Sequence, residues 1–132
     1  MQERQAKLHP EVLAARVLGV GMPLAETLRR RLNFDDLPAY VDDFLMGALL
    51  LCAARAASKG QAAGRALLAG AWGVVVGAMY YSVFGQLDNG ALPDISGLPN
   101  ALVVGIKLLT FCIAVLGFAL SVRRCPTSAV QP

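Results

Sequence analysis

Five side chains carry most of the chemistry this sequence offers: Asp42, Asp43, Tyr80, Tyr81 and Lys107. A carboxylate takes up and releases protons, an ammonium group beside it forms an ion pair, and a phenol orients or passes on a proton between them. All five stand inside or at the edge of apolar runs. An ionised group in hydrocarbon costs about 2.5 to 3.5 kcal/mol on insertion scales, so Lys107 should face a carboxylate, a cavity or the interface. Asp42 and Asp43 are the available counter-charges. One reading is an ion pair that fixes helix register near the outer surface, or a Lys107 that snorkels outward along its own stem. The other is a polar pocket that binds a small ligand or relays protons, with Asp42 or Asp43 titrating and Tyr80 or Tyr81 orienting.

The elements that position these residues follow from composition. The chain has 132 residues, 56% hydrophobic and 16% charged, whereas soluble domains carry about 25% charged residues. This reads as one all-α integral membrane helix-bundle domain spanning 1–132. Ala66 to Leu87 is a run of 22 residues without a charge, long enough at about 1.5 Å per residue to cross a hydrocarbon core of about 30 Å. Ala101 to Val122 is also 22 residues, holds only Lys107, and is stopped by Arg123, Arg124 and Pro126. Residues 38–58 enclose an uncharged stretch of 11 residues, Phe44 to Ala54, and span only with both ends included. A first helix over about 11–28 carries one apolar stripe, Leu13, Val17, Val20, Leu24 and Leu28, interrupted by Arg16 and Pro23. It is short and either spans or lies in the interface. Without a small-x-small cleavage site this segment reads as retained rather than as a signal peptide.

Four spanning helices with a cytoplasmic N-terminus place seven basic residues inside: Arg4, Lys7, Arg55, Lys59, Arg65, Arg123 and Arg124. Three stand outside, Arg29, Arg30 and Arg31, partly offset by Asp35 and Asp36. With only three spanning helices neither orientation is well polarised, so the expectation is four, both termini cytoplasmic. In that arrangement Asp42 and Asp43 follow Pro38 by four and five residues, Lys107 follows Asn100 by seven, and Tyr80 and Tyr81 precede Leu87 by seven and six. Helical rise brings them to one layer, with Asp42, Asp43 and Lys107 roughly 6 to 11 Å from their helix ends. Ser82 and Gln86 stand slightly nearer the surface, able to complete a hydrogen-bonded network. The loop from Asp88 to Asn100 holds Asp88, Asp94, Asn-Gly, two prolines and Gly97, and reads as an ordered outer turn. Its two carboxylates read as solvated, not as a calcium site.

Other counts exclude chemistry. His9 is the single histidine, which rules out a bis-histidine haem or a three-histidine zinc site within one chain. Cys52, Cys112 and Cys125 have no C-x-x-C spacing and imply no disulfide framework. The net charge of +3 comes from short clusters flanking apolar runs, which suits membrane orientation and not nucleic acid. Ala69, Gly73 and Gly77 form a small-xxx-small series that lets helices approach closely, within the chain or with a second copy. Trp72, near the cytoplasmic end of its helix, reads as an interface anchor.

The arrangement Tyr40-Val41-Asp42-Asp43-Phe44, then Ala71-Trp72-Gly73, then Phe84-Gly85-Gln86-Leu87 before a short loop and a last helix, resembles small uncharacterised four-helix proteins of bacterial inner membranes. The likeness covers about Pro38 to Val122 and implies a bundle and that location, but no activity. Small multidrug transporters offer a contrast. They share the helix number and length but carry an acidic residue inside the first helix, where here Glu11 and Glu26 fall at its ends. The expectation is a non-enzymatic structural or accessory component without cofactor or metal, set in the lipid bilayer against a partner membrane subunit or itself. The alternative is an oligomeric carrier of a small solute or proton using the polar layer.

Overall fold

A computed structural model describes residues 9–30, 37–88 and 94–125. The expectations for Arg4, Lys7, Arg31, Asp35, Asp36 and Pro126, and for residues 89–93, lie outside the described residues. Four helices follow in order: α1 (Pro10–Arg29), α2 (Leu37–Ser58), α3 (Gly64–Asp88) and α4 (Asn100–Arg123). Among the described residues there is no strand. Pro10 opens α1 at a position where its missing N–H is no loss, and Glu11 sits in the first turn, where the helix dipole favours an acid. Between α2 and α3 the chain reverses at Gly60, whose φ of 66° lies in the left-handed region that glycine enters without steric penalty. Gly60 N–H donates to the Ala57 carbonyl at 3.2 Å and Gln61 N–H to that of Ala56 at 3.2 Å, a Schellman closure of α2.

Each helix packs on its sequence neighbours, and α1 also packs on α4, which closes a ring. Up and down directions alternate: Glu11, Arg65 and Arg124, from the starts of α1 and α3 and the end of α4, meet at one end. Arg29, Gln86, Asp94 and Asn100 meet at the other. The two ends are called inner and outer below. The core runs between them through Val12, Ala15, Met22, Leu50, Ala54, Leu68, Trp72, Val75, Met79 and Ala114.

Small residues set the helix spacings. Pro23 leaves the Gly19 carbonyl without its usual helical donor, and that carbonyl oxygen lies only 2.5 Å from where a Cβ on Gly47 would stand. The Pro23 ring closes on the same point at 2.8 Å, so α1 and α2 meet backbone to backbone. A Cβ on Gly117 of α4 would collide with the indole of Trp72. These glycines, rather than the series on α3, make the close approaches: a Cβ on Gly73 would stand 3.6 Å from Phe118, an ordinary contact, and one on Gly77 would meet nothing within 4 Å. Ala69 is buried. The anchor expected of Trp72 is corrected as well, since the side chain is fully buried, slotted over Gly117.

Helix α1 turns its apolar stripe outward. Leu13, Val17, Val20, Leu24 and Leu28 are exposed, while Glu11, Val12, Ala15, Gly19, Met22 and Glu26 are buried. By length and composition two helices, α3 and α4, are apolar enough to cross a membrane.

Candidate functional site

At the outer end the sequence delivers a basic pair, Arg29 in the last turn of α1 and Arg30 at its C-cap. A glutamate one helical turn earlier, Glu26, is directed into the bundle beside them. The Arg29 guanidinium forks: Nε donates to Asp94 Oδ2 at 3.1 Å and Nη2 to Asp94 Oδ1 at 2.6 Å. Its Nη1 donates to Glu26 Oε2 at 3.1 Å. Arg30 Nε donates to the other Glu26 oxygen, and the Arg30 guanidinium lies 5.6 Å from the centroid of the buried Tyr40 ring at the start of α2.

Asp94 is held from a second side by its own turn. Ser96 N–H donates to Oδ2 at 3.0 Å and the Ser96 hydroxyl at 2.7 Å, an Asx turn followed by Gly97 at φ 78°. The Asp94 side chain is 2% exposed. The Arg29 hydrogen bonds hold its carboxyl well below the ordinary carboxylate range, with help from Ser96 and against the opposing effect of burial.

From Asp94 the network continues inward. Gln86 Nε2 donates to Asn100 Oδ1 at 2.6 Å and lies 3.5 Å from Asp94 Oδ1, while Gln86 Oε1 accepts from Lys107 Nζ at 2.9 Å. Lys107 also reaches the Ser82 carbonyl at 3.4 Å. A continuous polar chain therefore runs from Glu26 through Arg29, Asp94 and Gln86 to Lys107, joining α1, the last loop, α3 and α4.

The five residues singled out from sequence fare differently. Lys107 is half-buried and stands in the network, but its partners are Gln86 and the Ser82 carbonyl. Among the described residues it makes no ion pair with Asp42 or Asp43. Asp43 is half-buried and Asp42 exposed. Tyr80 and Tyr81 are on the outward face, Tyr81 at 82% exposure, and Tyr80 packs at a tilt against Phe84 with centroids 4.6 Å apart. Both tyrosines therefore lie on a face of α3 turned away from the network that the sequence reading had them join. Asp94 is buried and paired, not solvated.

A second cluster closes the inner end. Glu11, 1% exposed, accepts from Arg65 Nη1 at 2.6 Å and from Arg124 Nη1 at 2.9 and 3.2 Å. Arg124 also touches His9 Nδ1. Nearby, Arg16 Nη2 donates to Ser58 Oγ at 2.8 Å and links α1 to the end of α2. Sequence reasoning passed over Glu11 and Glu26 as helix flanks. Their signal was present in the spacing: they sit with Ala15, Gly19 and Met22 on the side of α1 opposite the apolar stripe.

Chemically, both clusters pair buried carboxylates with arginine in charge-assisted hydrogen bonds. Comparison with protein-family models, curated proteins and solved structures gives no match.

Proposed function

We propose that this chain is a multi-pass membrane protein whose four helices all span, acting as a structural or accessory helix-bundle component of a bacterial inner membrane and not as an enzyme. The observation that carries the reading is the inversion of α1, with leucines and valines outward and two carboxylates inward. A helix of a water-soluble bundle buries its apolar stripe, whereas lipid rewards the reverse. Twenty residues at about 1.5 Å each give α1 a length of roughly 30 Å, that of the hydrocarbon core. Its buried acids lie in the end turns, at the depth where charges are tolerated when paired. The charges of α2 are likewise at its two ends. The excess of arginine and lysine at the inner end supports cytoplasmic termini, and the resemblance noted above supports the bacterial inner membrane.

A structural role fits clusters in which each buried acid is held by arginine and ties helices together: Glu11 links α1 to Arg65 and Arg124, and Arg29 joins Glu26 to Asp94. In this reading the outward apolar faces contact lipid and either a partner membrane subunit or a second copy. The carrier reading rests on the polar chain from Lys107 through Gln86 to Asp94. It draws less support, because Asp42 is exposed and Tyr80 and Tyr81 turn away from that chain.

The test is purification of tagged full-length protein from its native membrane in mild detergent, with the particle mass measured and everything that co-elutes identified. A stoichiometric second subunit, or a defined homo-oligomer inactive in proton and solute flux assays, is the expected result. Release of the chain by carbonate washing, or flux that disappears in Lys107→Met, would overturn the reading.

A further inference from the structure

Between α2 and α3, at the inner half of the bundle, an open groove of about 490 Å³ runs along the surface. Its floor is Ala53 and Ala71, and its walls are Leu49, Cys52, Leu67 and Val74. Gly70 lies in it with nothing within 4 Å of where its Cβ would stand, so no neighbouring helix fills the space. Measured from the inner end, Val74 is ten residues along α3 and Leu49 nine residues back from Ser58. The groove is therefore about 15 Å deep, half of a hydrocarbon core of about 30 Å and so one leaflet.

Two cations follow the groove-lining part of α2 toward the inner end, beyond the residues that line the groove itself. Lys59 lies seven residues beyond Cys52, two turns further along almost the same line of the helix, and Arg55 lies between them. Both are exposed, and neither makes an ion pair among the described residues. In this respect they differ from Arg29, Arg65 and Arg124, each of which is held by a buried acid.

We infer that the groove binds one anionic glycerophospholipid of the cytoplasmic leaflet, with an acyl chain along Leu49, Leu67, Gly70 and Val74 and the phosphate between Arg55 and Lys59. This rests on the membrane reading above. The anionic headgroup is what the two free cations select, since basic clusters at the cytoplasmic face attract acidic lipids. A second copy of the chain is the weaker occupant. A parallel two-fold pair through this groove sets Arg55 and Lys59 of each copy against those of the other, and like charges at an interface oppose association.

The test is native mass spectrometry of the full chain in neutral detergent, titrated with dioleoyl phosphatidylglycerol and, separately, dioleoyl phosphatidylcholine. The expected result is a single saturable phosphatidylglycerol adduct formed at least about tenfold more tightly than the phosphatidylcholine adduct. Gly70→Leu, which fills the groove, should abolish the adduct while keeping the wild-type melting temperature. R55Q/K59Q, both on the surface, should bind the two lipids equally. Inorganic phosphate should not displace the lipid.

Equal binding of both lipids by wild type, or an adduct that survives both variants, overturns the proposal. Displacement by phosphate would reassign the site to a free anion, and a dimer that Gly70→Leu dissolves would reassign it to a second copy; either refutes it. Carbonate extraction is run alongside: a chain that stays in the membrane pellet but shows no selective adduct refutes the lipid site alone, whereas a chain washed off refutes the membrane reading first.

Discussion

Glu11 and Glu26 lie fifteen residues apart on the same side of α1, each buried and each held by two arginines. At about 1.5 Å per residue they stand roughly 22 Å apart. The apolar interior of the bundle is thus capped by a paired carboxylate at each end. The two caps differ in construction. Glu26 is paired within its own chain segment, by Arg29 and Arg30, and reaches other elements through Arg29 and Asp94. Glu11 is paired only by residues far away in sequence, Arg65 and Arg124, and so directly fixes how α1 meets α3 and α4.

Replacing Glu11 by glutamine should therefore loosen the inner end. Two guanidinium groups then face each other without a counter-charge. Breaking a fully buried ion pair costs about 3 to 5 kcal/mol; Arg65 and Arg124 keep some access to water, which lowers the expected loss to about 2 kcal/mol. Thermal unfolding in detergent reads this directly, and E11Q/R65Q should recover part of it. A single variant as stable as wild type would mean that the cluster contributes nothing to assembly.

The outer end should be sensitive to acid through Asp94. Its carboxyl is depressed when folded, chiefly by the Arg29 hydrogen bonds, so the native state holds the ionised form more strongly than the unfolded chain does. The resulting stabilisation is complete above the unfolded value near 4 and is lost as pH falls through the lower folded value. Asp94→Asn should accordingly be less stable than wild type at pH 7, with the gap narrowing progressively below about pH 4. A gap independent of pH down to the acid limit would detach the effect from this carboxylate.

Much of the architecture was legible in the sequence because bilayer-length apolar runs announce themselves. The helices read as 38–58, 66–87 and 101–122 appear as Leu37–Ser58, Gly64–Asp88 and Asn100–Arg123, the last two apolar enough to cross a membrane. Counting residues along the helices also put Ser82 and Gln86 within reach of Lys107, which meets both. The face of a helix that meets a neighbour was not legible. Tyr80 and Tyr81 are at the level of Lys107 yet point outward, because rotation about α3 is fixed by Trp72 fitting over Gly117, a contact between residues 45 positions apart. Likewise, Gly19 and Gly47 do not form a spaced motif on one helix. Their closeness depends on the α1 and α2 surfaces being brought together, and Pro23 is what opens that surface.

Glycine substitutions should separate these two kinds of site. Gly47→Ala forces a methyl group against the Gly19 carbonyl and the Pro23 ring and should cost about 1 to 3 kcal/mol, as overpacked interiors do. Gly77→Ala meets nothing within 4 Å and should be neutral or stabilising by up to about 1 kcal/mol through helix propensity. Comparing melting temperatures of the two variants checks this. Equal losses at both positions would place an unseen neighbour, such as a second copy, against Gly77.

Lys107 should be coupled to Gln86 and not to Asp42. Its ammonium group donates to the Gln86 side chain at 2.9 Å, and Gln86 is in turn tied to Asn100 and Asp94. In a double-mutant cycle, K107M and Q86L should be non-additive by about 0.5 to 3 kcal/mol, the range for residues sharing one hydrogen-bond network. K107M and D42N should add to within about 0.5 kcal/mol, as sites without a shared partner do. Membrane insertion of K107M should be undiminished, because removing a charge from a spanning segment lowers its transfer cost. A coupling that appears with D42N and vanishes with Q86L would mean that the lysine finds its counter-charge on α2 in the bilayer, and the outer network would have to be redrawn around that ion pair.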